Sequence, residues 1–333
     1  MKTQKIEISS KTVVFTVFLL LSLSVLWQIR DLIFSLFIAF IISGALKPIV
    51  NFLSGKKFPR SLSAFIVYLL FIFVIVNLFA LVLPPLINEI SHLFKNFPGI
   101  VKTVLPQISP FFDLATLSQN LPDLANEAIS LVKGLFSNAI FVTSTLFFGF
   151  YLLLETDFIE SILVNFFDEL EAKRINLIVE RAQIRAGTWF WGEVILMTIV
   201  GIMTYIGLTF IEMKYALALA VLAGLLEVVP TLGPIISTIP AALIGFSSSY
   251  SLGLSNIAVY FIVQQLENNL LVPIVMKKVV GLNPIITLIA LIVGGKLAGV
   301  LGVVLAVPTT IFIETLLIEN QKLQNISSAE KLR

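Results

Sequence analysis

The sequence predicts an all-α integral membrane protein with about eight transmembrane helices. Of its 333 residues, 58% are hydrophobic and only 13% are charged, and the mean hydropathy is +1.01. Because a soluble domain carries about 25% charged residues, this surface could not keep the chain in water. The apolar runs are long and continuous rather than alternating, as at Thr12–Ile29, Ser61–Leu83 and Ile285–Ile318. Such runs favour spanning helices over a membrane β-barrel.

Residues 1–85 are predicted to form the first three transmembrane helices, near Thr12–Ile29, Leu32–Leu46 and Ser61–Leu83. The second is short for a complete span, so it is either tilted or continues past Pro48. Basic residues gather at the start of the chain and after the second helix, at Lys2, Lys5, Lys11, Lys47, Lys56, Lys57 and Arg60. The positive-inside rule places both regions, and with them the N-terminus, in the cytoplasm.

The middle of the chain is predicted to leave the membrane on both sides. Residues 86–138 are amphipathic and interrupted by prolines, which predicts an external cap of short helices. Residues 139–155 form the fourth span. In residues 156–192 apolar pairs recur every fourth residue among charges, the pattern of a cytoplasmic pair of interfacial helices. Its arginines suit anionic lipid headgroups, and Glu193 beside it is predicted to be an interfacial anchor.

Residues 193–319 are predicted to form a transmembrane core with broken helices, followed by a cytoplasmic tail at residues 320–333. Two stretches, residues 215–246 and 283–308, are apolar but punctuated by proline and glycine. The arms of the second are about a dozen residues long, which is short for a span but suits one or two re-entrant helical hairpins. Irregular backbone is tolerated in a membrane only where protein or a water-filled cavity satisfies it. Transporters use such breaks to build substrate and ion sites.

The breaks therefore predict a substrate or ion pathway in which three ionisable residues, Glu227, Glu267 and Lys296, are the strongest candidates. Burial disfavours the charged form of a carboxyl group, so Glu227 could carry a proton or bind a cation. The alternative is that Glu227 only caps free backbone donors and that Lys296 extends to water. The predicted pathway comprises Glu227, Pro230, Gly233, Pro234, Gln265, Glu267, Asn268, Pro273, Asn283, Pro284, Gly294, Gly295, Lys296, Gly299 and Pro308.

The sequence lacks the signatures of common enzymes. It contains no GxxxxGK[ST] phosphate loop and no GxSxG elbow, and a single histidine, His92, excludes an HExxH metal site. The absence of cysteine excludes disulfides and thiolate catalysis. We therefore expect no enzymatic activity, no cofactor, no metal site and no nucleic-acid partner.

Two stretches of the C-terminal half carry a family resemblance: AGLLEVVPTLGPIISTIPAAL and QQLENNLLVPIVMKKVVGLNPIITLIALIVGGKLAGVLGVVLAVP. In order, spacing and helix breakers they resemble the autoinducer-2 exporter family, also described as PerM-type permeases. Glu227, Pro230, Gly233 and Pro234 fall on the family's Glu-x-x-Pro-x-x-Gly-Pro signature. Glu267, Asn268 and Pro273 fall on a second, polar element of the family pattern. A third element is matched by Gly281, Leu282, Pro284, Gly294, Gly295, Gly299, Gly302 and Pro308.

The sequence departs from this family pattern at two positions. Many members carry Gly-Gln after the interfacial helix, where this chain has Gly192 and Glu193. Histidine often precedes the proline of the third element, where this chain has Asn283.

The resemblance implies secondary transport without nucleotide hydrolysis, re-entrant hairpins and assembly into a homo-oligomer in the lipid bilayer. The leading expectation is export of a small polar solute, such as autoinducer-2, across the cytoplasmic (inner) membrane, with both termini in the cytoplasm. A second expectation is Na⁺(Li⁺)/H⁺ antiport through Glu227 and Glu267, which would make the substrate a cation. A third, from another class, is a non-transporting membrane scaffold.

Overall fold

A computed structural model describes residues 10–78, 80, 84, 138–155, 157–230, 232–276 and 283–331. Within these ranges the chain folds into helices and contains no strand. The helices are α1 Ser10–Gln28, α2 Arg30–Ser54, α3 Arg60–Leu78, α4 Ala139–Leu154, α5 Phe158–Leu163, α6 Glu169–Phe210, α7 Ala216–Leu226, α8 Leu232–Ser248, α9 Tyr250–Leu266, α10 Val272–Val275 and α11 Pro284–Lys331. The predicted external helices of residues 86–137 lie outside the described residues.

The described helices confirm an all-α polytopic membrane protein. Six stretches are long and apolar enough to cross a membrane, in α1, α2, α3, α6, α9 with its continuation to Val275, and residues 285–322 of α11. Three shorter apolar helices, α4, α7 and α8, accompany them. Helix α2 does continue past Pro48 and reaches 25 residues. The second predicted interfacial helix is continuous with the next span, since α6 runs unbroken for 42 residues.

Small residues bring α2 and α6 into close contact. A Cβ atom added at Gly187 would overlap the backbone of Gly44, and one added at Gly44 would overlap Gln183. Around this contact the Gln183 amide donates to the Ser43 hydroxyl at 2.7 Å. One turn away Lys47 and Glu180 form an ion pair at 2.7 Å. Close backbone approach at small residues is how helices associate where no water drives them together.

We expect Gly187→Ala to destabilise the protein, whereas Gly201→Ala leaves it as stable or more so. Alanine favours a helix over glycine by about 1 kcal/mol at both positions. At Gly201 the added Cβ would make only ordinary contacts, the nearest at 3.5 Å, but at Gly187 it would overlap α2. Thermal unfolding of the purified variants in detergent measures the difference. Equal stability of the two variants would contradict the close α2–α6 contact.

Helices α7 and α8 form a helical hairpin. Gly224 near the end of α7 packs against Met197 and Gly201 of α6. Met197 lies 13 residues before the end of α6, so α7 descends roughly 20 Å at 1.5 Å per residue. Leu219 of α7 shares a buried cluster with Ala241 and Ile244 of α8, which is possible only if α8 turns back along α7. The turn between the two helices thus lies deep inside the helix bundle.

A second hairpin lies within α11. The backbone leaves the helical conformation at Ala298 and Gly299, where Gly299 has φ +58° and ψ −137°. Glycine readily adopts a positive φ, whereas other residues do so at a cost. The arms on either side meet at Gly294 and Gly302, each without room for a Cβ. The tip adjoins Arg30 at the start of α2, in a pocket of about 360 Å³.

The second arm of this hairpin ends against the first half of α6. Arg185 pairs with Glu314 at 2.6 Å, and Arg181 pairs with Glu319. The Arg174 guanidinium donates to the side-chain oxygen of Asn320 at 3.1 Å. These arginines, which the sequence assigns to lipid headgroups, instead pair with the chain's own helix. The reason is that α6 continues without a break and so brings its basic half alongside α11.

Candidate functional site

Three glutamate side chains from three different elements are buried together. Glu193 on α6, Glu227 directly after α7 and Glu267 directly after α9 have 3%, 1% and 3% of their surface exposed. The carboxyl groups of Glu227 and Glu267 lie within hydrogen-bonding reach of each other, and Glu193 is close enough to interact electrostatically with both. We call these three residues the carboxyl cluster.

Glu227 reaches the cluster because α7 ends in a tight turn. The amides of Val228 and Val229 donate back to Leu225 and Leu226, at 3.4 and 3.0 Å, as the helix closes. Pro230 and Pro234 have no backbone donor, so the helix does not continue. A Cβ at Gly233 would overlap the Leu226 carbonyl, so only glycine lets α8 begin so close to the end of α7. The Glu-x-x-Pro-x-x-Gly-Pro pattern thus builds the turn that buries Glu227.

Glu267 reaches the cluster through a π-helical turn, Glu267–Leu271, between α9 and α10. Pro273 lies just beyond it and removes a backbone donor, which disrupts the regular α-helical hydrogen bonding. Such single π turns inside α-helices occur frequently at functional sites. The Gln264 amide donates to Glu267 at 3.3 Å and orients its carboxyl group.

The carboxyl cluster is only partly hydrogen-bonded. Both carboxyl oxygens of Glu193 and one of Glu227 are buried with no hydrogen-bond partner among the described residues. Isolated buried charge is costly, and two adjacent carboxyl groups cannot both ionise without a counter-charge. The described residues contain no group of three metal-ligating side chains arranged for a metal ion. Two adjacent carboxyl groups of this kind are chemically suited to sharing one proton or one small cation.

The structure brings together only part of the predicted pathway. Glu227, Pro230, Gly233, Pro234 and Glu267 meet at the cluster. The remaining side chains that the structure describes lie elsewhere: Gln265, Asn268 and Pro273 are exposed on the outside of the chain, and Gly294, Gly295, Lys296, Gly299 and Pro308 belong to the α11 hairpin.

Two polar residues of the third element also lie apart from the cluster. Lys296 is exposed near the tip of the α11 hairpin, and no carboxylate of the described residues lies within 4.0 Å of its ammonium group. Asn283 is exposed too, and its side chain accepts from the amide of Ile285 at 2.9 Å as α11 begins at Pro284. Asn283 thus starts a helix, and Lys296 lies at a surface.

Glu193 is the residue that the sequence analysis missed, and its assignment as an interfacial anchor is wrong. It lies on a buried stripe of α6 that continues through Leu196, Val200, Thr204 and Leu208. Two features of the sequence indicate it. One is the helical spacing of that stripe, and the other is the departure at this position from the Gly-Gln pattern of the family that the sequence resembles. A carboxyl group on the buried face of an apolar helix is a functional hypothesis by default.

Spanning-length apolar helices, two helical hairpins and acidic groups buried at a helix break together define a helical membrane transport protein. The chain belongs to the AI-2E transporter family, whose sequence profile matches residues 15–321. It is accordingly a transporter and not an enzyme.

Individual relatives agree with this membership over most of their length. YueF of Bacillus subtilis, provisionally named a transport protein, is 28% identical over 91% of this chain and 88% of its own. YrrI of the same organism, named in the same way, is 25% identical over 92% of this chain and 93% of its own. The AI-2 transport protein TqsA of Escherichia coli is 23% identical over 89% of this chain and 88% of its own.

Proposed function

We propose that this protein is a cation-coupled secondary transporter that exports a small polar solute across the cytoplasmic membrane. The observation that carries the proposal is the buried carboxyl cluster at the turn between α7 and α8, in which three carboxyl oxygens have no hydrogen-bond partner among the described residues. A group that exchanges a proton or cation there can couple solute movement to an ion gradient without nucleotide hydrolysis. Autoinducer-2 is the candidate solute, because the related TqsA is named for it.

The proposed orientation places both termini and the Lys47 loop in the cytoplasm. Its support is the basic residues of these regions, together with the pairing of Lys47 to Glu180 and of Arg185 to Glu314. These contacts put the loop after α2 and the end of α11 on one side of the bundle. In this orientation α7–α8 is a re-entrant hairpin from outside and the α11 hairpin is one from inside. The proposal includes assembly into a homo-oligomer, as the family resemblance implies.

Na⁺(Li⁺)/H⁺ antiport is the second candidate function. The specific observation in its favour is that Glu227 and Glu267 lie within hydrogen-bonding reach of each other. Such a pair can hold one shared proton or one cation, but electrostatic repulsion disfavours its remaining empty and doubly charged. Competition for one site between a proton and a sodium ion is the minimum that an antiporter needs.

We expect the purified protein in proteoliposomes to move autoinducer-2 against its gradient when a proton or sodium gradient is imposed, and not without one. A pH-sensitive dye trapped inside the vesicles reports the accompanying proton movement. Gradient-driven cation exchange that is the same with and without autoinducer-2 would favour the antiport function. Vesicles that match protein-free controls for every ion and for autoinducer-2 would contradict both functions and favour a scaffold.

A further inference from the structure

Helices α6 and α9 each bury polar groups beyond the carboxyl cluster. The two helices run antiparallel, because Gly192 lies against Val275 and Met276 while Gly207 lies against Val259. Each contributes a buried stripe to the interior. On α6 the stripe begins at Glu193, and on α9 it consists of Gly253, Asn256, Tyr260 and Val263, and ends at Glu267 just beyond the helix.

Thr204 and Asn256 are the unexplained members of these stripes. Both are 0% exposed, and neither the Thr204 hydroxyl nor either polar atom of the Asn256 amide has a hydrogen-bond partner among the described residues. Leaving a buried polar group unpaired costs about 1–3 kcal/mol. Helical threonines usually avoid that cost by bonding to the carbonyl one turn back, as Thr198 does to Val194 at 2.7 Å. Thr204 does not make this bond.

The two residues extend the line of the carboxyl cluster. Thr204 follows Glu193 by 11 residues, and Asn256 precedes Glu267 by 11, which is close to three helical turns and so keeps each pair on one face. The contacts of Gly192 and Gly207 give the order of these residues along the helix axis. Counted from the proposed cytoplasmic side outward, the order is Glu193, Glu267, Thr204 and Asn256. From Glu193 to Asn256 the line covers roughly 25 Å at 1.5 Å per residue, close to the thickness of the hydrocarbon core.

We propose that Thr204 and Asn256 are polar stations of the cation path, which carry the coupling cation with water between the carboxyl cluster and the outer end of α6. The inference rests on the proposed function and identifies the outer half of its path. Hydroxyl and amide oxygens can coordinate a sodium ion, and they can also accept hydrogen bonds from a hydrated proton. One turn along α9 from Asn256, the Tyr260 hydroxyl donates to the Leu219 carbonyl of α7 at 3.3 Å.

Cysteine accessibility tests this path directly, because the chain contains no cysteine of its own. We expect Thr204→Cys and Asn256→Cys to react with methanethiosulfonate ethylammonium, a small water-soluble cation, in membranes. Leu153→Cys, 1% exposed in the apolar contact between α2, α3 and α4, should not react. The reactive form of a thiol is the thiolate, which forms only where water or a counter-charge reaches it. Thiols at 204 and 256 as inert as the one at 153 would overturn the proposal.

Transport supplies an independent readout. We expect Thr204→Val with Asn256→Leu to lower the cation-coupled flux by about tenfold, because a desolvated cation then loses both of the side-chain ligands proposed for the outer half of the path. The matched control Thr198→Val should transport normally, since its hydroxyl bonds only to its own helix. Unchanged flux together with unreactive thiols would reject the stations while the carboxyl cluster stands. Reactive thiols in a protein without flux would uphold the water-filled path and reject the proposed function.

Discussion

Replacing Glu227 and Glu267 together by glutamine is expected to reduce cation-coupled transport to the level of protein-free vesicles. Glutamine keeps the size of the side chain but can neither bind and release a proton nor neutralise a cation. The two carboxyl groups lie within reach of each other at a helix break, and Glu193 alone cannot share a proton or a cation between two acids as this pair can. Dye-reported proton flux in proteoliposomes measures the loss.

Unfolding does not account for the expected loss. Removing two adjacent buried acids relieves like-charge repulsion and desolvation, so the variant should melt at the same temperature as the wild type or above it. Glu212→Gln makes the same chemical change at an exposed position after α6 and should transport normally. Full coupled flux in the Glu227→Gln, Glu267→Gln protein would exclude the carboxyl cluster from the mechanism.

Glu193 offers a graded comparison within the same cluster. It interacts electrostatically with the other two carboxyl groups but lies outside the Glu227–Glu267 pair. Because Glu193 lies outside the Glu227–Glu267 pair, Glu193→Gln should retain transport. The contrast between the three positions separates the pair that exchanges the cation from the residue that modulates it.

Gly302→Leu is expected to cause the second large effect, a loss of about 3 kcal/mol in unfolding free energy from overpacking at a close helix contact. Gly302 packs against the carbonyl of Gly294 in the opposite arm of the α11 hairpin, and a Cβ alone would overlap it. A leucine side chain forces the arms apart and moves the hairpin tip away from Arg30. Thermal unfolding in detergent measures the stability, and vesicle flux measures the consequence for transport.

Two further glycines calibrate this result. Gly299→Ala adds a Cβ that meets nothing within 4 Å, so its cost comes only from the backbone conformation, φ +58° and ψ −137°, which non-glycine residues rarely adopt, about 1–3 kcal/mol. Gly55→Ala lies after α2 with φ −65° and ordinary contacts, and should be nearly neutral. If Gly302→Leu is no worse than Gly55→Ala, the two arms do not pack as described.

Much of the fold follows from local sequence. The bounds of α4 agree with the sequence, because a bilayer imposes long apolar runs and these are visible residue by residue. For α2 the sequence left two alternatives, a tilted short span or a helix continuing past Pro48, and the structure shows the second. Helix breaks are equally visible, since proline lacks a donor and glycine permits unusual backbone wherever they occur. Glu227 and Glu267 were therefore predictable as special residues, and the family resemblance follows from the same motifs.

The sequence by itself determined the membrane class, the helices and the places where those helices break. Only the tertiary structure decided that Glu193 joins Glu227 and Glu267, that Arg185 pairs with α11, and that Lys296 lies apart from the acids. The physical reason is the distance along the chain over which each effect acts. Hydropathy and helix breaking act between neighbours in the chain, whereas convergence of side chains depends on which helices touch, and here glycines far apart in sequence determine those contacts.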